Sequence, residues 1–344
     1  MPAAAAVQTD VAVHPPEVQV AEILISQLAG RLVHLAAALK LPDHLADGPR
    51  SAEELASHTA TYAPALYRVM RTLASLGFFT EDAEHRFSLL PLGAVLKSGT
   101  PSYAVAVAFG GEMTMRGLDE FLYSVQTGKA GFERAYGAPL FDWLGTHPEE
   151  AALYSQAMVG FNGMEPPAIA AAYDFSVFRT IADLGGSTGN MLATILTRHP
   201  GPQGILFDLP HVVEKAPALL QQRGVADRIR IEAGSFFECV PVGADAYILS
   251  HVIHDWNHEQ CLTILGNCRR AMNSNSRLLL AEMVLPEGDT PHPGKMLDMV
   301  MLIMPGGEER TALQYGALLD EAGFRMTRVV PTASPVSIVE AVPR

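Results

Sequence analysis

A short apolar run at residues 180–184 leads straight into Asp183-Leu184-Gly185-Gly186-Ser187-Thr188-Gly189-Asn190, and a helical stretch follows from 191 to 198. Glycines at such a junction let the backbone turn tightly and approach a ligand with no Cβ in the way. Six more β-like runs follow, at 204–207, 229–232, 246–250, 278–281, 326–330 and 337–341, with helical stretches between most of them. This alternation predicts an α/β unit built on a mostly parallel, doubly wound sheet of seven strands.

The glycine loop also narrows the ligand. Its spacing, D-x-G-x-x-x-G, is not the G-x-G-x-x-G of a dinucleotide site. Asp183 at its head would repel a pyrophosphate and would suit a cationic amino group. Nineteen residues beyond Gly189 the second run ends in Phe207-Asp208-Leu209-Pro210. An acid at that place can accept hydrogen bonds from both ribose hydroxyls. Strand, glycines, helix, strand and acid together point to a nucleoside with a cationic amino-acid tail. S-adenosylmethionine fits that description.

The run 246–250 ends in His251-Val-Ile-His254-Asp255-Trp-Asn257-His258-Glu259-Gln260. In open α/β sheets ligands bind at the C-terminal ends of the strands, where this cluster falls. Asn257 and Gln260 predict a capped helix start. A metal site would want three or four preformed ligands. These histidines span a loop and a helix start with no cysteine pair nearby, so no metal is expected. The other reading is a general base. Neutral imidazole has a pKa of about 6.5 and can take a proton from a hydroxyl aimed at an electrophile. A carboxylate on the other ring nitrogen would fix its tautomer. Glu282, ending the next run, and Glu309, in Pro305-Gly-Gly-Glu-Glu309-Arg-Thr, are the candidates.

Residues 18–105 read as helices followed by a short hairpin at 78–89, a winged-helix pattern. Ser51 and Glu54 form a predicted capping box. The 344 residues carry a net charge of −13, which works against nucleic acid and against an anionic membrane surface. The helical region is therefore expected to pack or dimerise rather than bind DNA. Residues 1–17 read as a frayed tail, not a signal peptide. Cys239, Cys261 and Cys268 make no disulfide framework, which fits a reducing cytoplasm. No continuous apolar run reaches the roughly 18 residues needed to cross a bilayer.

Residues 106–165 read as connecting helices rich in Met, Phe and Tyr. Tyr154, Met158 and Phe161 share a helix face, as core or as a wall for an aromatic ligand. Asp298 and Met301, in a methionine-rich stretch, and His251 are further candidates for contacting a substrate.

DLGGSTGN, FDLPHVVEKA, GADAYILSHVIHDWNHEQCLTIL, LLLAEMVLPEG and PGGEERT occur in the order and spacing of S-adenosylmethionine-dependent small-molecule O-methyltransferases. From about residue 18 to its end the chain resembles the group containing plant caffeic acid and flavonoid enzymes and bacterial enzymes of aromatic natural products. The resemblance implies a Rossmann-like methyltransferase domain over 166–344 and a winged-helix-like domain over 18–105 that forms a homodimer. It implies His254 as the catalytic base, supported by Glu282 and Glu309, with Asp255 also matching. Cofactor contacts fall on Asp183, Gly185, Gly186, Gly189, Asp208 and Leu209. The family's Gly-Asp-hydrophobic-Phe segment is Gly234-Ser235-Phe236-Phe237 here, so Ser235 replaces an acid, and Ser250 stands where plant members often have Lys. Tyr154, Met158 and Phe161 align with substrate-lining positions. The same residues would also serve C- or N-methylation, or hydroxylation, decarboxylation or cyclisation around the same cofactor. A ligand-sensing winged-helix regulator is the reading from another class.

Overall fold

The computed structural model describes residues 14–344. Most of the tail expected at 1–17 lies outside the described residues, and a helix begins within its end, at Pro16. The chain divides into two compact units. One holds the residues up to Glu112 together with Ala152–Phe161; the other holds Met113–Ala151 and Asn162–Arg344. The connecting segment expected at 106–165 is thus shared between them.

The N-terminal unit is built around Leu55, Leu66, Met70, Leu73, Phe79 and Phe87, all buried. The capping box forms: Ser51 Oγ accepts from the Glu54 backbone N–H and Glu54 accepts from that of Ser51, which starts the helix Ala52–Thr59. The hairpin pairs Phe79–Glu81 with Arg86–Leu89, and Arg50–Ser51 adds a third strand. Two residues are too few to show an alternating pattern, so that strand escapes sequence reading. Among the described residues, one helix, Pro16–Ala38, bears on the membrane expectation by its length. It has 23 residues, and a window within it averages a hydropathy of 1.3, long and apolar enough by those measures to cross a bilayer. Polar residues such as Gln19 and Glu22 break its continuous apolar runs without lowering that average enough. Val18, Val20, Ile23, Leu24, Ile25 and Leu28 on it are 41–71% exposed.

In the C-terminal unit all seven expected strands form: β1 (Thr180–Leu184), β2 (Gln203–Asp208), β3 (Ile229–Ala233), β4 (Ala246–Ser250), β5 (Arg277–Glu282), β6 (Phe324–Pro331) and β7 (Ser337–Pro343). Their order is β6-β7-β5-β4-β1-β2-β3. The β3-β2-β1-β4-β5 part is parallel, and β7 joins both β5 and β6 antiparallel. Side chains alternate between faces with a period of two. Ile181 and Ile248 enter one buried cluster with Leu192 and Leu206, while Ala182, Tyr247 and Leu249 enter the other with Ile264 and Leu318. Burial on both faces explains why these strands read as continuous apolar runs. A two-residue parallel ladder also pairs Arg310–Thr311 with Val284–Leu285. It ties the Pro305–Thr311 loop to the chain just after β5.

Candidate active site

At the end of β1, Asp183 is buried and its Oδ2 has no hydrogen-bond partner among the described residues. Burial, reinforced by the nearby Asp208, pushes its carboxyl up to about 7. Gly185 and Gly189 take φ values of +71° and +85°, which Gly adopts freely. A Cβ on Gly186 would lie 2.7 Å from the Asp183 carboxyl. The loop folds back on β2: the backbone N–H groups of Gly185 and Gly186 donate to the Phe207 carbonyl. Gly189 then caps the helix Asn190–Arg198. Asp208 accepts from Ser187 N–H at 2.8 Å and from Leu209 N–H at 2.7 Å, which orients its carboxylate. Burial raises its pKa. The Ser235 hydroxyl accepts from Phe237 N–H at 3.2 Å, and Phe236 lies against the Gly185 side of the loop. Ser250 ends β4 beside Ala281 of β5.

An ammonium group suits this arrangement. The orphaned Oδ2 of Asp183 is an acceptor lacking a donor, and a buried unpaired carboxylate is costly until a cation arrives. The glycines leave the close approach that a nucleoside needs, and the carboxylate of Asp208 keeps lone pairs for ribose hydroxyls.

The second cluster lies past the end of β4. His254 is buried in the short 3-10 turn Ile253–Asp255. Its Nδ1 is 2.6 Å from Glu309 Oε1 and 3.7 Å from Glu282 Oε2. Asp255 Oδ1 lies 3.5 Å from His254 Nε2. Glu282 Oε1 accepts from the backbone N–H groups of Val252 and Ile253 and so holds the turn. Burial raises Glu282, lifts Glu309 to about 8 and lifts Asp255 to about 6. Asp298 Oδ1 accepts from Glu309 N–H at 2.8 Å, and the Met301 carbonyl accepts from Gly306 and Gly307. Both residues therefore brace the loop that carries Glu309, on the evidence of these bonds. Glu308 N–H donates to the His254 carbonyl at 2.9 Å, and a Cβ on Gly307 would fall 1.9 Å from that oxygen.

His251 Nε2 meets Glu165 Oε2 at 2.5 Å, and the two histidine rings lie 5.0 Å apart. His251, His254 and Glu282 bring three donor atoms within 4.8 Å of one another. Glu165 and Glu309 each engage one nitrogen of these imidazoles.

The model for the O-methyltransferase domain family matches residues 119–325, and the O-methyltransferase dimerisation domain matches 25–99. The chain belongs to the O-methyltransferase family. It is 43% identical over 331 residues to the phenazine O-methyltransferase PhzM of Lysobacter antibioticus, covering 95% of this chain and 97% of that one. The O-methyltransferase NcsB1 from neocarzinostatin biosynthesis, crystallised with S-adenosylmethionine and 2-hydroxy-5-methyl naphthoic acid, is 30% identical with a TM-score of 0.82. That match covers 97% of this chain and all of the other, 100%. Aclacinomycin 10-hydroxylase RdmB of Streptomyces purpurascens is 33% identical over 326 residues, 90% of this chain and 86% of that one.

This O-methyltransferase is an S-adenosylmethionine-dependent enzyme of the group that serves natural-product biosynthesis. Its Asp183, Gly185, Gly186, Gly189 and Asp208 converge at one end of the sheet, as do His254, Glu282, Glu309 and Asp255. Tyr154, Met158 and Phe161 lie on the helix Pro148–Phe161 and belong to the N-terminal unit. There Met158 packs beside Ala157 and Phe109, while Phe161 stacks on Phe109 at 5.8 Å. Glu165 escaped sequence reading. Its signal is faint: a lone acid before Pro166-Pro167 at the start of an otherwise apolar helix.

Proposed function

We propose that this enzyme methylates a hydroxyl of an aromatic, phenolic or polyketide-like small molecule, with His254 as general base. The 2.6 Å contact between His254 Nδ1 and Glu309 carries the reading. It holds the ring in one orientation and leaves Nε2 for the acceptor's proton. When bound, S-adenosylmethionine supplies an electrophilic methyl group on a sulfonium, opposite which the acceptor oxygen must stand. Asp183 would hold the cofactor's ammonium end and Asp208 its ribose. A phenol has a pKa of about 10, so at neutral pH His254 takes its proton as the oxygen attacks. Positive charge then builds on the imidazole beside Glu309 and Glu282, and that charge favours their ionised forms. Most of the acceleration comes from holding the two reactants in line; the base contributes about 10²–10⁴-fold.

His254→Ala is therefore expected to lower turnover by about 10²–10⁴-fold in a labelled-methyl assay, with cofactor affinity nearly unchanged by calorimetry. Wild-type turnover in that variant at neutral pH would remove His254 as the base. The similarity to RdmB supports a second reading, cofactor-assisted chemistry without methyl transfer. The same assay separates the two, because that chemistry leaves the label on the cofactor. The working form is proposed to be a homodimer joined through the N-terminal unit, a reading the match over 25–99 supports.

A further inference from the structure

His251 has a backbone in the left-handed region, at φ +52°. A non-glycine residue there is uncommon and pays in strain, and such strain clusters at functional sites. Its side chain is 11% exposed and Glu165 is 6% exposed, so the pair is a nearly buried ion pair. Buried pairs contribute little to stability compared with well-packed apolar residues. Strain and burial together call for a use, yet the base reaction requires neither residue. Among the described residues, Glu165 is the side chain that hydrogen-bonds the His251 ring, and it does so at Nε2. That leaves the Nδ1–H of a charged imidazole as a donor. The ring lies 5.0 Å from that of His254. Two imidazoles at this spacing can meet two oxygens on adjacent ring carbons: one loses its proton to His254, the other accepts from His251.

We propose that Glu165 and His251 form an acceptor-positioning dyad that selects phenols carrying a second oxygen beside the reacting hydroxyl. This deepens the reading of His254 as base and rests on it for orientation. The groups facing His251 are Glu165 from the helix Glu165–Ala172, His254 and Asp255 from its own loop, Glu282 from β5 and Glu309 from the following loop. Burial disfavours its charge, but Glu165, Glu282 and Glu309 outweigh that and raise its pKa to about 9. The donor is thus charged across the neutral range.

The test uses two isomers of equal size and charge, 2,3-dihydroxynaphthalene and 2,6-dihydroxynaphthalene. Calorimetry measures their binding to the full-length enzyme saturated with demethylated cofactor, and kinetics measures their kcat/KM. The 2,3-isomer is expected to bind about tenfold or more tightly, the value of one well-made charged hydrogen bond. His251→Phe should abolish that difference through the 2,3-isomer alone. Glu165→Gln should keep the preference at low pH and lose it at a lower pH than the wild type does. Equal binding of the isomers by the wild type would overturn the proposal, as would a preference that survives His251→Phe. Should His251→Phe fail to bind cofactor, the pH profile of Glu165→Gln decides, and an unshifted profile overturns the dyad. Because binding needs no turnover, these outcomes stand apart from the fate of His254 as base.

Discussion

With Asp183 as the proposed partner of the cofactor's ammonium, a single buried carboxyl makes binding visible as a proton. In the free enzyme its pKa is about 7, raised by burial and by Asp208. An ammonium beside it favours the ionised form, so binding pulls that pKa down. Part of a proton should therefore leave Asp183 as S-adenosylmethionine binds at pH 7, and that release should vanish at pH 9, where Asp183 is already ionised. Calorimetry in buffers of differing ionisation enthalpy reads this directly. Asp183→Asn at saturating cofactor should release none. The same groups give the free enzyme a one-sided pH response. Asp183 and Glu309 have raised folded pKa values of about 7 and about 8, so a penalty builds as they ionise between roughly pH 4 and 8. His251 is raised from 6.5 to about 9; its contribution is complete below the lower value and is lost as pH climbs through the upper one. All three act in the same direction. The melting temperature of the cofactor-free enzyme should fall from pH 6 to pH 9, and a rise would contradict these assignments.

At the level of elements, the loop carrying Glu309 is as decisive as β4. The backbone at Gly307 passes so near the His254 carbonyl that a Cβ would sit 1.9 Å from it. Gly307→Ala must displace one segment or the other. The expected result is a fall in kcat of more than about tenfold, since small misplacements at a reacting centre are expensive, with cofactor affinity kept. A fully active variant would show that the loop can move freely. Much of this arrangement is legible in the sequence. The seven strands are apolar runs because both sheet faces are covered, Glu282 and Asp208 stand at strand ends, and His254 falls in the turn just past another, where an acid or a base is conspicuous. Glu165 is not legible, because its partner His251 lies far away in the chain and only the fold brings them together. The role of Asp298 is hidden for a related reason. Its bond goes to a backbone N–H of Glu309, and no side-chain pattern announces a backbone partner. The ladder of Arg310–Thr311 on Val284–Leu285 is too short to leave a periodic trace.

For the molecule as a whole, the proposed dimer would use the exposed apolar residues of Pro16–Ala38, of which Ile25 and Leu28 fall within the match to a dimerisation domain. A charge in that surface should split the assembly. Leu24→Glu is expected to halve the mass seen by light scattering while each chain stays folded; an unchanged mass would place the contact elsewhere. The net charge of −13 works against a polyanion, so no salt-dependent binding to DNA is expected in a titration at low salt. Finally, the small ladder between 284–285 and 310–311 brackets the intervening stretch, including the helix Pro293–Ile303. Both ends of that excursion are pinned next to Glu282 and Glu309. The strand that ends in Glu282 and the loop that carries Glu309 are thereby tied together, so a shift of one carries over to the other.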